Sequence, residues 1–183
     1  NYQGGAIQSI DAKGGYLLAG FIDLHVHGGG GADFMDATPE AFERAIKSHL
    51  EHGTTLLYPT AMTASEPELC EFIDAYLAFK KKSSLAPLAA GLHLEGPYFA
   101  GDSTLSCGAQ KAESMRNPDI AETRRLLDRA KGTIVRWDAA PELEGIENFA
   151  KQMKSVGVIA AVAHTDATAD ETEQAYQWGF CHV

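Results

Sequence analysis

Residues 19–27 read AGFIDLHVH, a short apolar run that is rich in β-forming side chains and ends in two histidines. The glycines at 28–31 end this run, so the pattern favours a buried β-strand over a helix. His25 and His27 are two residues apart, and side chains at that spacing on a strand point to the same face. Two neutral imidazoles on one face can bind a single metal ion. The alternative is a pair of core histidines, which would need several hydrogen-bond partners.

Apolar runs and helical patterns alternate along the rest of the chain. Further strands are predicted at 54–60, 88–95, 133–139 and 158–164, with a sixth strand beginning at Phe180. Helices are predicted at 39–52, 65–82, 118–130, 146–156 and 168–178. This order implies parallel strands joined by right-handed crossovers. The nearly continuous apolar runs fit strands that are buried on both faces.

Polar side chains at the strand ends distinguish a barrel from a doubly wound open sheet, which has the same order of elements. In a (β/α)₈ barrel the active-site residues lie at the carboxyl ends of several strands. The first strand is not followed by a GxGxxG motif, which weakens the dinucleotide-binding alternative. We therefore predict an incomplete α/β barrel of the TIM type at 19–183, with about the first five to six of eight strands. A remnant of a small β-element is predicted at 1–18. The polar residues at the predicted strand ends are His25, His27, Thr60, Glu95, Glu142 and His164.

The composition excludes several classes of function. The 183 residues include 15 basic and 25 acidic side chains, for a formal net charge of −10, and the longest basic block is Lys80–Lys82. Nucleic acid is therefore not an expected partner. No apolar stretch approaches the roughly 18 residues of a membrane span, and a signal pattern is not seen. Cys70, Cys107 and Cys181 form no CxxC pair, which predicts reduced thiols in a cytoplasmic protein.

Glu95 and His164 are further candidate metal ligands. Glu95 directly follows an apolar strand, where a carboxylate is costly to bury unless it is paired or bound to a metal. A salt bridge to an arginine is the alternative. His164 ends the apolar run VIAAVAH, and the other candidates at neighbouring strand ends favour ligation. His93 is expected on the same face as Glu95 but deeper, so support or packing is the better interpretation.

Other polar positions give weaker signals. His49 and His52 lie in the last turn of the first predicted helix and are expected on the surface. The glycines at 28–31 are expected to form a flexible turn. Glu142 fits either the mouth of the barrel or a solvated loop. Asp166 could orient His164 or cap the following helix, and capping is the better interpretation.

Together, the motifs resemble the N-acetylglucosamine-6-phosphate deacetylases of the amidohydrolase superfamily. The histidine-x-histidine pattern alone marks only the superfamily, whereas the later motifs are more specific. The matching stretches occur in the family's order over nearly the whole chain: GFIDLHVHG (20–28), GTT (53–55), PT (59–60), HLEGPY (93–98), GAQ (108–110), APE (140–142) and HTDAT (164–168).

The resemblance implies roles for several residues. Glu95 and His164 would bind the catalytic metal, and His25 and His27 would bind a second one, so one or two divalent ions are expected, zinc or iron. Ala109 and Gln110 would face the sugar.

The resemblance also implies a reaction. The N-acetyl group of N-acetylglucosamine 6-phosphate would be hydrolysed to give glucosamine 6-phosphate and acetate, by a homodimer or higher homo-oligomer. No catalytic residue is expected within the chain, because the family's acid–base aspartate should lie beyond Val183. The chain alone is therefore expected to be inactive.

Two alternatives remain open. Another hydrolase or a deaminase of the superfamily would share the histidine-x-histidine strand. It should lack the combination of LEGP and GAQ, and the cyclic-amide enzymes usually use a strand-end lysine, which is not seen here. An inactive, truncated barrel with a structural role would not bind metal through Glu95 and His164.

Overall fold

In the computed structural model, which describes residues 4–5, 10–100 and 107–183, one parallel sheet is covered by helices. Its strands are β1 (Phe21–Val26), β4 (Thr54–Ala61), β5 (Leu92–Glu95), β6 (Ile134–Ala139), β7 (Ile159–Val162) and β8 (Phe180–His182). A small hairpin follows β1 and consists of β2 (Gly28–Gly29) and β3 (Ala32–Asp33). The helices are α1 (Pro39–Glu51), α2 (Glu66–Lys82), α3 (Ile120–Ala130), α4 (Ile146–Val156) and α5 (Ala169–Trp178).

The strand order confirms the predicted barrel architecture. Neighbours in the sheet run β1-β4-β5-β6-β7-β8, and every pair is parallel. The spatial order thus follows the chain order, whereas a doubly wound sheet reverses its order at a switch point. A sequential parallel sheet brings the carboxyl ends of all six strands to one edge.

Two predicted strand boundaries are wrong for local reasons. The third strand of the main sheet begins at Leu92 rather than at 88, because the residues around Pro87 form a 3₁₀ turn over Ala86–Leu88. Proline fixes φ and has no N–H to donate to a sheet, so it favours such a turn. The fifth strand ends at Val162, and His164 lies beyond it with a φ of 46°.

Aromatic packing holds the helices against the outer face of the sheet. Phe42 on α1 is fully buried, and its ring centroid lies 4.9 Å from that of Phe34 and 5.6 Å from that of Phe72. Trp137 on β6 stacks on Tyr98 at 5.6 Å. Burying one such side chain contributes about 1.5–3 kcal/mol. The core therefore lies between the sheet and the helices.

The helix starts follow the local sequence. The Thr38 hydroxyl accepts the Ala41 N–H at 3.1 Å, as predicted for the start of α1. Thr168 caps α5 and exchanges hydrogen bonds with Glu171 in a capping box. The prediction that Asp166 caps this helix is therefore wrong.

Strand β1 lies at one edge of the described sheet and is largely exposed, so the prediction of a strand buried on both faces is wrong for β1. Phe21, Ile22 and Leu24 are 67%, 61% and 47% exposed. Of the predicted amino-terminal β-element, the described residues (4–5 and 10–18) contain no strand, so that element and its boundary stay predictions. None of the described helices is long and apolar enough to cross a membrane.

Candidate metal centre

Four polar side chains from three strand ends meet at the carboxyl edge of the sheet. His25 Nε2 and His27 Nε2 lie 3.1 Å apart. They are 3.5 and 3.2 Å from Oε2 of Glu95, which ends β5. His164 Nε2, beyond the end of β7, is 2.9 Å from Oε1 of the same carboxylate. The structure thus brings together the four side chains that the sequence singles out.

The donor atoms fit a divalent cation. Imidazole nitrogens and a carboxylate are ligands that zinc and iron accept. Two atoms bound at about 2.0–2.1 Å to one tetrahedral ion lie roughly 3.3 Å apart, and the donor atoms of His25, His27 and Glu95 Oε2 are 3.1 to 3.5 Å apart. His164 contacts the other carboxylate oxygen of Glu95, at 2.9 Å, and lies outside this group of three. Glu95 Oε2 is buried, and the nearest polar atoms to it are Nε2 of His27 at 3.2 Å and Nε2 of His25 at 3.5 Å. A buried carboxylate is costly unless it is paired or bound to a cation, so this position suits a metal ion.

The hydrogen bonds of His27 prepare its other nitrogen for a metal. Its Nδ1 lies 3.2 Å from the backbone oxygen of Thr60. A carbonyl oxygen can only accept, so Nδ1 carries a proton, and Nε2 is the nitrogen that faces Glu95. Metal-binding histidines commonly donate their second N–H in this way.

The electrostatics of the cluster favour an ionised Glu95. Burial alone would raise the pKa of this carboxyl, but the imidazoles of His25, His27 and His164 outweigh burial and hold the pKa well below its usual range. The carboxylate in turn raises the pKa of His27. The centre therefore holds a buried negative charge that a positive charge must balance.

His164 is held by an unusual backbone and by its neighbours. A φ of 46° is uncommon for a residue other than glycine, and such strain often accompanies function. The Phe99 ring centroid lies 4.7 Å from the imidazole. A Cβ added to Gly108 would lie 3.1 Å from His164 Cε1, so the chain at 108 passes close to the ring.

The glycines after His27 form an ordered hairpin rather than the flexible turn that was predicted. Gly30 and Gly31 have φ values of 60° and 77°, and positive φ at both central residues is typical of a tight hairpin turn. His49 Nε2 lies 2.9 Å from the Gly28 oxygen. His49 is half-buried, so its predicted surface position is wrong, whereas His52 is exposed as predicted.

The two predicted sugar-facing residues lie in different surroundings. Gln110 is buried; its Oε1 accepts the Thr63 N–H at 2.8 Å, and its Nε2 lies 3.4 Å from His164 Nε2. Ala109 is exposed. Gln110 therefore adjoins the cluster, and its amide nitrogen points to the His164 side.

Glu142 stabilises the turn after His164. Its carboxylate accepts the Thr165 hydroxyl at 2.5 Å and the Asp166 N–H at 2.7 Å. The residue is half-buried, so the solvated-loop interpretation is wrong. Glu142 lies beside the mouth in a supporting position.

A buried ionic group below the cluster was not predicted. Asp138 on β6 is 1% exposed; its Oδ2 lies 2.9 Å from His93 Nε2, and its Oδ1 accepts from Arg136 Nε at 2.7 Å. Burial lowers the pKa of His93, although Asp138 opposes this. The sequence signal was present, because Arg136 and Asp138 place two charges on one face of an apolar strand.

His25, His93 and Asp138 form a second group whose donor atoms lie within 4.8 Å of one another. Arg136 already balances the charge of Asp138 and would repel a cation there. The cluster around Glu95 is therefore the better candidate for a metal.

The sequence profile of the amidohydrolase family matches residues 16–182. The chain belongs to the amidohydrolase family. Amidohydrolases are generally metal-dependent, and the His25, His27 and Glu95 group of this chain could hold an ion.

Relatives of this amidohydrolase include two curated deacetylases. The chain is 32% identical over 170 residues to the N-acetylglucosamine-6-phosphate deacetylase of Bacillus subtilis (strain 168), covering 91% of the chain and 42% of that protein. It is 29% identical to the N-acetylgalactosamine-6-phosphate deacetylase of Escherichia coli O157:H7, with coverages of 89% and 42%. This amidohydrolase chain thus spans less than half the length of these relatives.

A solved structure shares the fold. The N-acetyl-D-glucosamine-6-phosphate deacetylase of Mycobacterium smegmatis superposes with a TM-score of 0.82 at 38% sequence identity, over 88% of this chain and 41% of that one. The incomplete TIM-type barrel of an amidohydrolase is thereby confirmed.

Proposed function

We propose that the whole protein containing this chain hydrolyses the N-acetyl group of N-acetylglucosamine 6-phosphate, giving glucosamine 6-phosphate and acetate. The observation that carries the proposal is the convergence of three imidazoles on one buried carboxylate, Glu95. The similarity to deacetylases of this substrate supports it.

In this proposal the four converging side chains bind one or two divalent ions, zinc or iron. Glu95 and His164 hold the ion that acts in catalysis, and His25 and His27 hold a second one. When bound, such an ion supplies Lewis acidity, which polarises a carbonyl group and favours attack by water.

Gln110 and Ala109 are proposed to contact the sugar. The Gln110 amide is oriented by the Thr63 N–H, which bonds to its oxygen and leaves the nitrogen as a donor toward the His164 side. An oriented donor in a buried position can bind a substrate oxygen with little loss of freedom. Ala109 is exposed beside it and offers its backbone.

None of the carboxylates around the centre is proposed as the general acid and base. Glu95 faces three imidazoles, Asp138 pairs with Arg136, and Glu142 accepts from Thr165. Each of these oxygens is committed to a partner, whereas a proton-transfer group must reach the reacting atoms.

The direct test measures acetate release from N-acetylglucosamine 6-phosphate by the metal-loaded whole protein, using proton NMR. We expect turnover in the wild type and a loss of at least about 100-fold in Glu95→Gln, more than removal of outer support costs. Glu51→Gln is the matched control, since Glu51 is an exposed helix residue. Turnover by Glu95→Gln at the control rate would show that the cluster is not the active site.

N-acetylgalactosamine 6-phosphate is a second candidate substrate, because one relative acts on it by name. The two sugars differ in the orientation of one hydroxyl group. The same acetate-release assay gives kcat/KM for each sugar phosphate. We expect the higher kcat/KM for N-acetylglucosamine 6-phosphate.

The proposal extends to the assembly of the whole protein, a homodimer or larger homo-oligomer in the cytoplasm. Its mass in solution, measured by light scattering, tests the assembly. A monomeric mass for the active protein would contradict this part alone.

A further inference from the structure

The ladder between β1 and β4 is irregular beside the histidine pair. Asp23 lies opposite Leu57, but Val26 lies opposite Pro59, so β1 contains one residue more than β4 over this stretch. Pro59 has no N–H and cannot complete a regular ladder. An extra residue in one strand bends it and re-aims the neighbouring side chains. The irregularity therefore affects the strand that carries both histidines.

Thr60 provides hydrogen-bond acceptors to β1 at this irregular part of the ladder. Its side-chain oxygen accepts the N–H of Val26, the residue between the two histidines, at 3.0 Å. Its backbone oxygen lies 3.2 Å from His27 Nδ1. Thr60 is fully buried. One threonine thus fixes both the backbone between the histidines and the ring of the second one.

His93 fixes the Thr60 hydroxyl in turn. A carboxylate can only accept, so His93 Nε2, which is 2.9 Å from Asp138 Oδ2, carries the proton of the neutral ring and leaves Nδ1 as an acceptor. The Thr60 hydroxyl is then the donor toward two acceptors, His93 Nδ1 at 3.2 Å and the Tyr58 oxygen at 2.9 Å. Below the ring, Asp138 and Arg136 complete a buried chain of polar contacts across β4, β5 and β6.

The same His93 ring contacts the other histidine of the pair. Its centroid lies 4.8 Å from that of His25, with an interplanar angle of 89°. His93 is fully buried, so packing leaves it little freedom to turn. It therefore restrains His25 by direct ring contact and His27 through Thr60.

We propose that Thr60 and His93 are positioning residues for the His25–His27 half of the metal centre. Thr60 supplies an acceptor for the Val26 N–H in this irregular stretch, and His93 orients the Thr60 hydroxyl. This inference rests on the proposed function only in requiring that the four-residue cluster binds a divalent ion. It assigns no contact with substrate to either residue.

The test compares Thr60→Val, which keeps the shape and removes the hydroxyl, with Thr60→Ser, which keeps the hydroxyl. Co²⁺ affinity is measured by chelator competition, and the visible spectrum of bound Co²⁺ reports its geometry. We expect Thr60→Val to bind about 10- to 100-fold more weakly with an altered spectrum, and Thr60→Ser to bind within a few-fold of the wild type. In a His27→Ala background Thr60→Val should have a smaller further effect, because only its support of the backbone beside His25 is then left to lose.

A merely structural role predicts a different pattern. Thr60→Val would then unfold at lower temperature but bind Co²⁺ with wild-type affinity and spectrum, and that result overturns the inference. An equal loss in the His27→Ala background also overturns it.

If Thr60→Val does not fold, the wild type still decides the point. Long-range ¹H–¹⁵N NMR spectra of the metal-free protein should show a neutral His93 ring with its proton on Nε2, which leaves Nδ1 to accept from the Thr60 hydroxyl. A ring that carries a proton at Nδ1 contradicts the proposed orientation of that hydroxyl.

The outcomes separate this inference from the proposed function. Weaker Co²⁺ binding by Thr60→Val in a protein that releases no acetate retains the inference and removes the deacetylase proposal. If Thr60→Val binds Co²⁺ like the wild type and the protein releases acetate, the inference is removed and the deacetylase proposal is retained. A wild type that binds no Co²⁺ removes both.

Discussion

The two halves of the metal centre are held in different ways. His25 and His27 lie at the end of a strand, and buried polar groups at Thr60 and His93 support them from below. His164 lies past its strand, with a strained backbone and loop residues such as Phe99 around it. Glu95 joins the two halves, since each of its oxygens faces one of them.

This difference suggests a division of tasks. A site on a strand that is supported by buried, hydrogen-bonded side chains keeps its geometry with or without a ligand. Loop residues, by contrast, can adjust to a substrate. Gln110, the proposed sugar contact, adjoins the loop-held half. Under the proposed function, we expect the His164 half to adjoin the substrate and the histidine pair to give rigid support.

The largest expected effect comes from removing one ligand from each half. In His164→Ala, Glu95 Oε1 loses its imidazole partner at 2.9 Å. In His25→Ala, Glu95 Oε2 still has His27 at 3.2 Å. We expect His164→Ala to lose the ion at its half, by more than about 100-fold in affinity, and His25→Ala to retain that ion.

Ions per chain after dialysis, measured by atomic emission, check this prediction. His52→Ala is the control, because His52 is exposed and lies outside the cluster. Equal losses in both ligand variants would indicate one ion shared by all four side chains, and the comparison of two halves would then be wrong.

The sequence predicts the parts of the centre that depend on short-range periodicity. The spacing of two puts His25 and His27 on one face, and the positions of Glu95 and His164 at strand ends bring them to the same edge of the sheet. Capping boxes are equally local, and the predicted helix start at 168 matches Thr168 as the cap of α5, whereas the expected cap at Asp166 is wrong.

The supporting residues are not predictable in this way. The role of Thr60 depends on a register irregularity opposite Pro59, and the contact of Asp138 with His93 depends on how two strands far apart in the chain are aligned. Such contacts follow from the folded sheet and not from spacing. Ala109 and Gln110 were indicated only by resemblance, and their part in substrate binding stays a prediction.

A smaller effect tests how closely the loop encloses His164. Gly108 has a φ of 56°, and a Cβ there would lie 3.1 Å from the imidazole. Gly132 has a φ of 80° with nothing within 4 Å of an added Cβ. Alanine at either position strains the backbone by about 1 kcal/mol. The two variants differ because only Gly108→Ala also adds a contact with the His164 ring.

We expect Gly108→Ala and Gly132→Ala to lose similar stability, with only Gly108→Ala weakening metal binding at the His164 half, by a few-fold. Urea unfolding and chelator competition measure the two quantities. If both variants bind metal as the wild type does, the chain at 108 does not restrain His164.

The smallest expected effect concerns the start of helix α2, outside the metal centre. It tests whether Glu68 contributes to the pH dependence of the free energy of unfolding. The Ser65 hydroxyl and N–H bond to Glu68 at 2.7 and 2.9 Å and lower its pKa from 4.5 to about 2. The folded pKa lies below the unfolded one, so this stabilisation is present above pH 4.5 and is lost as the pH falls toward 2. Because Glu68 is 44% exposed, we expect it to contribute less than about 1 kcal/mol.

Urea unfolding of metal-free Glu68→Gln between pH 5 and about pH 2 should show a slightly flatter pH dependence than the wild type. An unchanged slope would mean that the acid sensitivity of the fold arises at other groups.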